Sequence, residues 1–216
     1  MMNTKRTAKT LIAMAHPDDE IIWGWPIFQN PEIDKKVLIC TSDFHNKERE
    51  FCKYRKEALF TICDKLEVEC ECLDYPSSFY RHLGSRSEIV GQDDTAPLRK
   101  ACDHIIEAVA DFGSDCDHIM THNPYGEYGH MDHRLLFDII LKNTQKKIII
   151  TDICLSSNWS KEERISNKTK EIFYQNKIES HTLNEELLNY CKNEYSKKNG
   201  WTWSREIPKT CNTFLI

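Results

Sequence analysis

Residues 11–24 read "LIAMAHPDDEIIWG", an apolar run that meets a histidine, a proline and three acids before turning apolar again. The run suits a short buried strand of a parallel sheet. Pro17 disfavours helical backbone at His16, so the strand ends there in extended form and the chain turns. Asp18, Asp19 and Glu20 then enter the first turn of a helix, where the positive end of the helix dipole favours acids. Such a turn can be a plain acidic helix start. A histidine and an aspartate three apart, however, can also aim their tips at one ion.

Outward from this unit the pattern alternates. "KKVLICTSD" (35–43), "VECECLDYP" (68–76), "DCDHIMTHNP" (115–124) and "KKIIITDICL" (146–155) read as further strands. Residues 48–66, 96–113 and 130–143 carry helical spacing between them. The alternation predicts an α/β fold with a mainly parallel sheet flanked by helices, whose functional groups lie at the carboxyl ends of strands. His16 falls at such an end, and so does "THNPYGEYGHMDH" (121–133). The chain is read as a single domain over 1–216, with a core of about 8–155 and a C-terminal extension of about 156–216. The extension has a helical pattern over 183–195. The polar stretch 77–96 reads as a loop or lid.

Composition narrows the function classes. A formal net charge of −5 over 216 residues gives no general attraction to nucleic acid or to an anionic membrane surface. The apolar stretch near the start is too short for a signal peptide, and nothing approaches the roughly 18 apolar residues of a spanning helix. The expectation is a cytoplasmic protein with no membrane span and no nucleic-acid partner. Of ten cysteines, only Cys70 and Cys72 stand close, as C-x-C, and no C-x-x-C occurs. That spacing does not build a structural zinc site, so the thiols read as reduced and mostly buried.

The second cluster supplies what the first lacks. In "GEYGHMDHR" (126–134), His130 and His133 are three apart at the start of a helix and share a face. With His16 and Asp19, one of them completes a set of two histidines and a carboxylate, with a coordination position left for water, which is a catalytic rather than a structural zinc arrangement. Zinc there lowers the pKa of a water to about 7 and polarises a carbonyl. A spare carboxylate and a spare histidine remain for proton transfer: Asp18 and one of His130 or His133. Spacing alone does not choose between the two histidines.

"AHPDDE" followed by "GEYGHMDH" resembles the PIG-L/LmbE-like family of zinc-dependent N-acetylglucosaminyl deacetylases. The resemblance extends over the strand–helix alternation to about residue 155 and implies a Rossmann-like fold. It implies that His16, Asp19 and His133 are metal ligands and that Asp18 is the general base. By the same resemblance His130 is an acid or an oxyanion stabiliser, and Asp132 orients a histidine from behind. The implied reaction removes an N-acetyl or other N-acyl group from an amino sugar of a glycoconjugate or glycan precursor. Zn2+ is the implied metal, and Fe2+ could occupy the site without changing the hydrolytic chemistry.

Further candidates are Tyr128, whose hydroxyl could meet the oxyanion, and His122 and Asn123, which could support the loop. Arg55 stands where the family often places a substrate-contacting arginine; Arg81, Arg86 and Arg99 flank the polar stretch and could meet an anionic substrate. Two competing readings are a non-catalytic, metal-containing carbohydrate-binding protein and a non-haem iron enzyme with a two-histidine, one-carboxylate site. The α/β alternation weighs against the usual β-barrel of the second. Intact Asp18 and His130 weigh against the first, because a binder needs neither.

Overall fold

In the computed structural model of the protein, residues 8–41, 51–75, 96–153, 175–197, 199–201 and 203–216 are described. Strand β1 (Thr10–Met14) is buried throughout. Its alternate side chains enter two different cores, Ile12 and Met14 on one face, Leu11 and Ala13 on the other. That double burial is why the sequence is continuously apolar rather than alternating. On the first face the chain lays the short helical turns α1 (Asp19–Ile22) and α2 (Trp25–Phe28), then helix α3 (Phe51–Lys65). The other face is covered by α4 (Ala96–Phe112) and, after a kinked turn α5 (Gly126–Gly129), by α6 (Met131–Asn143).

The remaining strands are β2 (Lys35–Thr41), β3 (Glu69–Tyr75), β4 (His118–Met120), β5 (Lys147–Thr151), β6 (Lys177–Thr182) and β7 (Thr210–Leu215), with helix α7 (Glu185–Ser196) between the last two. They form a seven-stranded sheet in the order β3-β2-β1-β4-β5-β7-β6. The β1–β2, β2–β3, β1–β4 and β4–β5 pairs are parallel. The chain therefore runs outward from β1 to β3, then returns to β4 on the other flank of β1. This reversal makes the carboxyl ends of β1 and β4 the topological switch point, the usual place for a site in such a sheet.

The C-terminal residues add an antiparallel edge: β7 pairs with β5, and β6 pairs with β7. Sequence alone did not single these strands out, because β6 (KIESHT) is almost entirely exposed and has no apolar alternation. Helix α7 packs against α3 and sends Tyr195 and Cys191 into the first core. No helix among the described residues is long and apolar enough to cross a membrane.

Gly24 fixes how closely α1 lies on β1. A Cβ there would sit 2.8 Å from the Glu20 carbonyl oxygen, 3.0 Å from Met14 Cε and 3.2 Å from Ile12 Cγ2. The backbone oxygen cannot yield as a side-chain tip can. Gly24→Ala is therefore expected to lower unfolding stability by about 1–3 kcal/mol, the cost of overpacking. A urea titration checks it, and a midpoint equal to the parent's would show that the turn can shift freely.

Candidate active site

His16 and Asp19 come from the turn after β1, His122 and Asn123 from the end of β4, and His133 from the first turn of α6. Five carboxylates, Asp18, Asp19, Glu20, Glu127 and Asp132, are buried among these elements. In the ion pairs among described residues, their permanent cation is Arg55, which pairs with Asp18. Burial on this scale demands positive charge close by.

Three atoms converge. His16 Nδ1 lies 3.1 Å from Asp19 Oδ2, His133 Nε2 lies 3.4 Å from the same oxygen, and the two nitrogens are 3.3 Å apart. The far side of each ring is held by an acid. His16 Nε2 is 3.0 Å from Asp132 Oδ2, and His133 Nδ1 is 2.6 Å from Glu127 Oε2. Those acids accept hydrogen bonds from the ring N–H groups, so in the neutral rings the facing nitrogens present lone pairs to one another and to a carboxylate. Zinc–nitrogen bonds of about 2.0–2.1 Å place tetrahedral ligand atoms about 3.3 Å apart, so these donors match one face of such a site. Carboxylates behind both histidines are the usual second layer of a metal centre.

Electrostatics agree. Burial penalises charge on His16, yet hydrogen bonds to Asp132 and Asp19 raise its pKa to about 9. Burial likewise pushes Asp19 up, but His133, His122 and His16 hold it well below the carboxylate range. The pocket draws a positive charge to the centre of the three atoms, and a proton or a metal cation can provide it.

His122 and His130 lie within reach of these donors, each as a member of another possible ligand trio. His122 stacks on His133 at 3.8 Å, gives Nδ1 to Glu127 at 3.0 Å and receives the Ala15 N–H at Nε2, 2.9 Å away. Burial disfavours a charged ring, while Glu127 and Asp19 favour one. The Ala15 N–H aimed at Nε2 leaves no room for a proton there, so we assign the neutral ring protonated on Nδ1. With both nitrogens engaged, His122 supports the loop rather than a ligand position. His130 caps α6: its Nδ1 accepts the Asp132 N–H at 3.2 Å, which leaves the ring proton on Nε2. Burial, with His133 and His16 beside it, pulls its pKa down to about 3. It is a neutral ring at pH 7.

Asp18 has left-handed backbone, φ 99 and ψ −20. Its carboxylate pairs with the Arg55 guanidinium, which also donates to the Pro17 carbonyl. Burial raises the Asp18 pKa, Arg55 opposes this and adjacent Asp19 adds to it, giving about 6. Arg55 is thus engaged with Asp18. Tyr128 stands edge-on to His130 and His133, with ring centroids 5.5 Å from each. Trp203 from the C-terminal segment packs on both Tyr128 and Trp23. Arg81 and Arg86 lie outside the described residues, and Arg99 is exposed on α4.

Glu127 was not singled out from sequence. It is fully buried, has φ 54, binds both His122 and His133, and accepts the Asn123 N–H at 2.9 Å. Burial raises its pKa but His122 and His133 bring it down to about 2. An acid six residues before a histidine has no helical or strand register with it. The only signal was an acid between Gly126 and Gly129, where a strained turn can fold it back.

A model of the PIG-L family, described as GlcNAc-PI de-N-acetylase, matches residues 11–144, which include every one of these groups except Trp203. The chain belongs to the PIG-L family. An uncharacterized protein, L374, of Acanthamoeba polyphaga mimivirus is 25% identical over 154 residues, covering 63% of this chain and 60% of that protein. The chain thus spans about 60% of the length of that curated relative. Among solved structures, the zinc-inhibited form of a teicoplanin deacetylase superposes with a TM-score of 0.58 at 14% identity, over 96% of this chain and 97% of that one. An N,N'-diacetylchitobiose deacetylase from Pyrococcus horikoshii gives 0.51 at 12% identity, over 98% and 85%. At such identities these two likenesses establish the shared fold.

Proposed function

We propose that this PIG-L family chain is a metal-dependent N-deacetylase that hydrolyses the N-acyl group of an amino sugar carried by a glycoconjugate or glycan precursor. The observation that carries the reading is the trio His16 Nδ1, Asp19 Oδ2 and His133 Nε2, mutually 3.1–3.4 Å apart, with Asp18 next to a member of it in sequence. The family match and the deacetylases that share the fold support the same reaction.

His16, Asp19 and His133 would hold the metal, Zn2+ or Fe2+. When bound it supplies Lewis acidity, lowering the pKa of a water to about 7 and polarising the amide carbonyl. Asp18 takes the proton from the attacking water, and a pKa near 6 suits a base that works near neutrality. Arg55 holds that carboxylate in place. Neutral His130 donates its Nε2–H to the carbonyl oxygen as negative charge develops there, a contribution of about 3–4 kcal/mol for a well-placed donor. A cation among the trio would depress His130 further, so the proton for the departing amine comes from Asp18, which acts twice. The C–N bond breaks, and acetate and the free amino sugar leave. Tyr128 stands beside His130 and His133 with Trp203 packed on it, and Asp132 and Glu127 orient His16 and His133.

The test is to incubate purified protein, with zinc or iron(II) restored, with a panel of N-acetylated sugars, N,N'-diacetylchitobiose among them, and to measure acetate. Acetate in step with new primary amine is expected. Tight sugar binding with no acetate across the panel and both metals would favour a non-catalytic carbohydrate binder. Glu127→Gln, which weakens the hold on the His133 and His122 protons, is expected to reduce metal affinity about 10–100-fold by chelator competition. Unchanged affinity would mean that Glu127 serves the turn alone.

A further inference from the structure

Two buried groups beside the site have no part in the reaction set out above. Glu20 and Tyr195 are both fully buried, and Tyr195 comes from α7, outside the residues that match the family. The Tyr195 hydroxyl donates to Glu20 Oε1 at 2.7 Å, and the Asp18 N–H donates to Glu20 Oε2 at 2.9 Å. One carboxylate therefore ties α7 to the backbone of Asp18.

That backbone needs a tie. Asp18 has φ 99, a conformation that side-chain-bearing residues adopt only when their surroundings fix it. The same segment also backs the Asp18 side chain. Gly200 donates its N–H to the Tyr195 carbonyl at 2.8 Å and lies so close to Arg55 that a Cβ would stand 3.1 Å from Arg55 Cγ. Arg55 in turn pairs with the Asp18 carboxylate. Packing alone would be served by an apolar pair. A buried tyrosine–glutamate pair that also captures a strained N–H serves orientation.

We propose that Tyr195 and Glu20 are positioning residues: through the Tyr195–Glu20–Asp18 hydrogen bonds the C-terminal segment holds Asp18 where its carboxylate can take and return the proton. The inference rests on the reading of Asp18 as the base. Tyr195→Phe keeps the ring but leaves Glu20 Oε1 without its donor, so the carboxylate can turn and release the Asp18 N–H. Glu20→Gln keeps both links, its amide oxygen accepting from Asp18 and its amide N–H donating to the Tyr195 oxygen. Glu20→Leu removes the bridge from the other end and leaves no buried charge.

The experiment measures deuterium exchange at the Asp18 amide, zinc affinity by chelator competition, and kcat and KM on N,N'-diacetylchitobiose, for the parent and the three variants. Tyr195→Phe and Glu20→Leu are expected to exchange Asp18 at least about tenfold faster. Their kcat is expected to fall about tenfold while KM and zinc affinity stay within about threefold, as misplacement of a reacting group predicts. Glu20→Gln is expected to stay near the parent in all readouts. Parental exchange at Asp18 in the two disrupting variants would overturn the proposal, as would a loss confined to KM or to zinc affinity. A parent that releases no acetate would remove the deacetylase reading instead, while the exchange measurement would still decide whether Tyr195 and Glu20 hold Asp18.

Discussion

Asp18→Asn is expected to bind metal and sugar as the parent does and to hydrolyse at least about 10²-fold more slowly, the lower end for loss of a positioned base. Asparagine is the right replacement on two counts. It is among the few residues that tolerate the left-handed backbone of position 18, φ 99, so the turn survives. It also keeps a carbonyl oxygen for the Arg55 guanidinium while losing the ability to accept a proton. Removing one charge of a buried pair is destabilising, so the rate must be read on protein shown to be folded and metal-loaded. Single-turnover acetate release checks it. A folded, loaded Asp18→Asn protein that works at the parental rate would remove Asp18 as base, and with it the double role assigned above.

His133→Ala is expected to lose its metal, and with it all measurable hydrolysis. It removes one of three mutually close donor atoms and leaves Glu127 Oε2 without the ring that meets it at 2.6 Å. His130→Ala is the paired control, one helical turn earlier. It is expected to keep metal while its rate falls about 10²–10³-fold, as on loss of an oxyanion donor. Elemental analysis of both proteins separates the roles. Metal lost from His130→Ala would move the site to the neighbouring trio of His16, His130 and His133, and metal retained in His133→Ala would remove His133 as a ligand.

Much of the fold was legible because burial on both faces forces a simple pattern. The apolar run of β1 could only be an interior strand, and a proline after it could only end it. The meeting of His16 and Asp19 was legible from their spacing of three across the turn after β1, and the structure places His16 Nδ1 3.1 Å from Asp19 Oδ2. The histidines at 130 and 133 were visible, but their difference was not: it lies in which nitrogen the Asp132 N–H and Glu127 occupy. Glu127 escaped notice because its contacts depend on a positive φ that no periodicity encodes. The pairing of Arg55 with Asp18 was not legible, because it joins a helix to a turn 37 residues earlier. β6 was invisible because an exposed edge strand carries no apolar signature, β7 mixes polar and apolar residues without a clear alternation, and the link from Tyr195 to Glu20 spans 175 residues.

Anomalous scattering from zinc- or iron-loaded crystals would locate the metal among these side chains. One strong peak is expected, bonded to His16 Nδ1, Asp19 Oδ2 and His133 Nε2, with His122 and His130 outside bonding distance. A peak on Cys70 and Cys72, or one bonded to His122 or His130 in place of Asp19, would contradict that ligand set.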